Sequence, residues 1–125
     1  ESYENKIKTN NIEYTIRIAK YGPVISFKNN EDEKTKYISL VPYLKATNKD
    51  IEDIKKKDIK LLTALPSSIG KYNNNDVILK YARYGFYLSN GNKNASIFKQ
   101  YIPLILNNEF NEIMKLIRKE TIKFK

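Results

Sequence analysis

Neither cysteine nor histidine occurs in this 125-residue chain. Disulfides, thiolate nucleophiles, imidazole bases and nearly all zinc chemistry are excluded together. No apolar run approaches the roughly 18 residues a membrane span requires, and no signal-like segment follows Glu1. A soluble piece of something longer is expected, with no membrane partner. There is no P-loop, no Gly-x-Ser-x-Gly and no Asp-x-Asp carboxylate set. The adjacent carboxylates of Glu31-Asp32-Glu33 read as a solvated loop rather than a metal site. Tryptophan is absent as well, so 10 Tyr and 5 Phe supply all the aromatic rings.

What the chain has is positive charge. It carries 23 Lys and Arg against 14 Asp and Glu, a formal charge of +9, and such a balance favours a polyanionic partner. AT-rich codons, shared by Lys, Asn, Ile, Tyr and Phe, are expected to account for part of the lysine excess. Lys55-Lys56-Lys57 reads as a solvated face. With 41% hydrophobic residues placed at regular positions, the chain folds rather than remaining disordered.

It also repeats itself. Ile18-Ala19-Lys20-Tyr21-Gly22-Pro23-Val24 returns as Tyr81-Ala82-Arg83-Tyr84-Gly85-Phe86-Tyr87, with Tyr84 lying 63 positions (84 − 21) after Tyr21. A repeat of that length is one supersecondary unit. In the first copy Tyr14 to Tyr21 alternates as a half-buried strand, and Gly22-Pro23 interrupts it with a sharp turn or bulge. Val24 to Lys28 is then its antiparallel partner, Lys36 to Val41 a third strand ended by Pro42, and Asp58 to Leu65 a helix closed by Pro66. In the second copy Asn73-Asn74-Asn75 forms a turn before the strand Asp76 to Ala82. Phe86 to Ser89, an Asn90-Gly91 hairpin turn and a strand around Asn94 to Phe98 follow. A helix capped by Asn107 or Asn108 then places Phe110, Ile113, Met114 and Ile117 on one face. Ser39 and Ser96 occupy matching points 57 residues apart. The reading is α+β: two tandem repeats, 1–66 and 67–125, each of strands followed by one helix.

The stretch Ala19-Lys20-Tyr21-Gly22-Pro23-Val24, with Tyr37-Ile38-Ser39-Leu40 after it and Leu65-Pro66 to Ile69-Gly70 closing the unit, resembles the C-terminal repeats of bacterial-type type IA DNA topoisomerases. Two copies in register cover about Glu13 to Arg118. The resemblance implies that each unit is a small four-stranded antiparallel sheet crossed by a helix, and that the units bind single-stranded DNA to help the parent enzyme hold and pass strands. It places the DNA contacts at Lys20, Tyr21, Arg83, Tyr84 and Tyr87. Phe86 stands where the motif has Pro, and Val24 lacks the ring that Tyr87 offers, so the second repeat is expected to bind more strongly.

The chemistry of the residues agrees with that implication. Single strands are held by rings that stack on bases beside cations that follow the phosphates. Arg17, Lys20, Lys80 and Arg83 flank Tyr21, Tyr84 and Tyr87, and an arginine can stack as well as pair with phosphate. Gly22, Pro23 and Gly85 read as structural turn residues. Tyr14, Tyr37, Tyr72 and Tyr101 read as core or sheet surface, whereas alternation leaves Tyr21 and Tyr84 open between packing and binding. No catalytic group, metal or cofactor is expected here. The expected partners are DNA and the rest of a topoisomerase chain, for a monomeric piece in the cytoplasm at the nucleoid. A protein-docking role and RNA binding are the alternatives.

Overall fold

Two four-stranded antiparallel sheets, each followed by two short helices, build the chain, so its class is the expected α+β. The computed structural model describes residues 2–125. They divide into two compact units, one ending at Leu62 and the other running from Thr63 to Lys125.

In the first unit β1 (Glu4–Thr9), β2 (Ile12–Ala19), β3 (Gly22–Phe27) and β4 (Lys36–Ser39) pair in sequence order. The second repeats the order with β5 (Ser67–Tyr72), β6 (Asn75–Ala82), β7 (Gly85–Asn90) and β8 (Lys93–Ser96). The first strand of each sheet was not foreseen. In β1 the residues are mostly exposed and all but Ile7 are polar or charged, so no apolar alternation marks it. Ser67-Ser68-Ile69-Gly70, read above as the junction, lies within β5. Each first hairpin closes on two asparagines with positive φ, Asn10 and Asn11 at 55° and 62°, Asn73 and Asn74 at 54° and 65°. That is the backbone of a type I′ turn, whose twist suits adjoining strands.

One face of each sheet is apolar. In the first, Ile16 lies opposite Ile25, and Ile25 opposite Ile38, while Tyr14 and Phe27 rings meet at 5.0 Å. Helices α1 (Val41–Thr47) and α2 (Lys56–Thr63) bring Tyr43, Ile59 and Leu62 to the core, with Leu40 and Ile54 from the connections. In the second, Val77, Leu79 and Leu88 are buried, as are Ile102 and Ile105 of α3 (Ile102–Leu106) and Ile113, Met114 and Ile117 of α4 (Phe110–Arg118), and α4 packs on β5. Burying each such aliphatic side chain contributes about 1.5–3 kcal/mol, so this face fixes the register of both sheets.

Each unit therefore carries two α-helices where one was expected. The additional ones, α1 and α3, have only seven and five residues, too few to span the i to i+7 pattern by which a helical face is read. Pro42 and Pro103 sit in their first turns, where a missing N–H costs nothing. Pro42 thus opens a helix rather than ending a strand, and β4 stops at Ser39. The later helix of each unit also shifts slightly: α2 ends at Thr63, and the N-cap of α4 is Glu109, not Asn107 or Asn108.

Two buried polar groups tie the units internally. The Asp58 carboxylate accepts from Lys49 Nζ at 2.8 Å, from the Lys55 backbone N–H at 2.8 Å, and from the Tyr43 hydroxyl. Burial raises its pKa, but these donors outweigh burial and hold the pKa below 3.8. In the second unit Asn90 donates its side-chain amide to the Tyr72 and Asn75 carbonyls at 2.9 and 3.1 Å, pinning the Asn73-Asn74 turn. The Asn90 position, 63 after Phe27, therefore exchanges a ring contact for a turn clamp.

Candidate nucleic-acid interface

β2 and β3 pair through Ala19 and Gly22, and β6 and β7 through Ala82 and Gly85. The residues between them, Lys20-Tyr21 and Arg83-Tyr84, are thus two-residue tips of equivalent hairpins. This moves the turn expected at Gly22-Pro23: both residues belong to β3, and Pro23 lies opposite Ile18. Gly22 and Gly85 immediately follow the tips with φ of +112° and +102°, a conformation side-chain-bearing residues avoid. A Cβ on Gly22 would also lie 2.9 Å from Val41 Cγ2.

At the tips the tyrosines leave the sheet altogether. Tyr21 is 85% exposed and Tyr84 90%, so neither contributes to a core. Each lies beneath the cation preceding it: Lys20 Nζ is 5.4 Å from the Tyr21 ring centre and Arg83 Cζ 5.5 Å from that of Tyr84. An exposed cation–π contact is worth only about 0.5–1 kcal/mol. That is enough to bias the rings' orientation and too little to hold them against a better stacking partner.

The other predicted residues lie on the strands behind the tips. Arg17 stands opposite Val24 on the first sheet, and Lys80 opposite Tyr87 on the second. Both faces are reached by a serine of the outer strand, Ser39 beside Val24 and Ser96 beside Tyr87. Where Val24 has no ring, Tyr37 supplies one: it is 59% exposed on β4, with Arg17 Cζ 6.0 Å from its centre. Sequence reasoning placed Tyr37 among core or sheet-surface rings, and only the register shows it beside Arg17. Each unit thus carries a tip pair and, on the strand leading to it, a cation. Lys55, Lys56 and Lys57 are exposed, as are Glu31, Asp32 and Glu33. Among the described residues no His, Cys, Asp or Glu cluster could hold a metal ion.

No family model, curated protein or solved structure matches this chain. The geometry of the tips, rather than kinship, has to carry the functional reading. Among the described residues no helix is long and apolar enough to cross a membrane.

Sequence reasoning also missed Phe98, 60% exposed just beyond β8. The lining of an open groove of about 960 Å³ in the second unit includes Arg83, Tyr84, Tyr87, Phe98, Lys123 and Lys125. Sequence reading makes Phe98 the end of a strand running from Asn94, whereas β8 stops at Ser96, and an apolar Ile97-Phe98 pair by itself does not distinguish surface from core.

Proposed function

We propose that this chain binds single-stranded DNA without catalysing a reaction, as part of a type IA DNA topoisomerase of the kind its repeats resemble. One observation carries the reading: in both units a cation and an almost fully exposed tyrosine occupy the same two-residue hairpin tip. Water-exposed rings beside cations suit unpaired bases, which stack on any ring, and their phosphates. Stacking reads no base edge, so little sequence preference is expected. The net charge of +9 supports a polyanionic partner, and the sheet architecture is compatible with the resemblance.

The test is fluorescence anisotropy of labelled oligo-dT at low and physiological salt, with duplex DNA as competitor. Salt-sensitive binding that prefers the single strand supports the reading. No binding at low salt rejects it in favour of protein docking.

A further inference from the structure

We infer that the groove of the second unit is a strand-binding channel, one wall of which is the segment Thr121–Lys125, with Phe98 as a second stacking platform and Lys123 and Lys125 as phosphate contacts. The inference rests on the reading just proposed and extends it to a site that neither the repeats nor the tips disclose.

The wall is held in place. Ile122 is 3% exposed, and its N–H donates to the Leu116 carbonyl at 3.2 Å. Phe124 lies 6.2 Å from Tyr72, ring centre to ring centre. Lys125 N–H donates to the Asn94 carbonyl at 2.9 Å, and Asn94 N–H donates back to the Lys125 carbonyl at 3.2 Å, so the segment pairs with the outer edge of β8. Between these anchors Lys123 and Lys125 stay exposed. A fixed wall limits the ordering cost of binding.

The groove's chemistry selects the occupant. Among the described residues lining it are Arg83, Lys123 and Lys125, and no Asp or Glu. Tyr84, Tyr87 and Phe98 add rings to the same lining. Cations with no acidic side chain beside them in the lining suit an anionic chain. Adjacent open rings suit the flat bases of that chain more than the side chains of an acidic peptide. Its volume, about 960 Å³, is at the upper end of the roughly 300–1,000 Å³ of small-ligand clefts, and its open form lets a strand pass through.

The experiment is oligo-dT anisotropy with Phe98→Ala, Phe98→Tyr and the double variant Lys123→Ala/Lys125→Ala, each checked for an unchanged thermal melt. Phe98→Ala is expected to weaken binding about 5- to 150-fold and Phe98→Tyr to restore it. The lysine pair is expected to flatten the slope of log affinity against log salt by about 1.4. Wild-type affinity and slope in these variants, with binding still weakened in Tyr84→Ala, would overturn the channel and leave the tip reading standing. Absence of wild-type binding would overturn both. Tighter binding of oligo-U, or displacement by poly-glutamate as effective as by unlabelled oligo-dT, would overturn DNA as the occupant.

Discussion

Arg83 Cζ lies 5.5 Å from the centre of the Tyr84 ring, with both residues on one two-residue tip. The guanidinium and the ring are thus presented together on an exposed tip, and Lys20 with Tyr21 repeats the arrangement in the first unit.

Removing either ring separates binding from stability. Tyr21→Ala and Tyr84→Ala are expected to leave stability within about 0.5 kcal/mol, since exposed positions seldom matter more. Each is expected to lower single-strand affinity by about 1–3 kcal/mol. Paired urea melts and oligo-dT titrations check this; a destabilised protein with intact affinity would make the rings structural.

Arg83 should act in two ways. Arg83→Ala is expected to lower the salt slope by about 0.7, the loss of one single-strand phosphate contact. Arg83→Lys should keep that slope yet bind more weakly, because an ammonium lacks the planar stacking face. Titrations at several salt concentrations separate the two effects.

Gly22 sets the first tip. Its φ of +112°, together with Val41 Cγ2 at 2.9 Å from the place of a Cβ, predicts that Gly22→Ala costs about 1–3 kcal/mol. Chemical denaturation should report the loss. Oligo-dT affinity should fall as well, because the strain bears directly on the Tyr21 loop.

Asp58 makes the first unit acid-sensitive. Its folded pKa lies below the unfolded value, so its stabilisation is present above about pH 4 and is lost as pH falls through the folded pKa. Asp58→Asn is expected to cost about 1.5–3 kcal/mol at pH 7, the worth of hydrogen bonds to a charged group, and to flatten the stability profile below pH 4. Urea melts from pH 2 to 7 provide the check; an unchanged acid limb would show that other carboxylates dominate it.

Much of the architecture was legible because it is periodic. Alternation over Tyr14 to Tyr21 and Asp76 to Ala82 marked β2 and β6, the first overrunning the strand end at Ala19, and Phe110, Ile113, Met114 and Ile117 marked α4. The Asn90-Gly91 pair was recognised as a hairpin but misplaced by one residue. Asn90 ends β7 and Gly91-Asn92 forms the loop, with Gly91 at φ +64°, because the Asn90 amide is engaged by Tyr72 and Asn75. β1, α1 and α3 left no signal, being polar or too short to span the i to i+7 pattern that marks a helical face.

The sequence by itself determined the repeat, the two-sheet α+β plan, the charge and the absence of thiol and imidazole chemistry, since composition and local periodicity depend on neighbours along the chain. Only the tertiary structure decided that Lys20-Tyr21 and Arg83-Tyr84 are exposed tips, that Arg17 meets Tyr37, and that Phe98 and Lys123 share a groove with Tyr84. Those relations depend on strand register and on where a distant segment comes to rest. Both are set by burial of the apolar faces, which is a property of the folded chain as a whole.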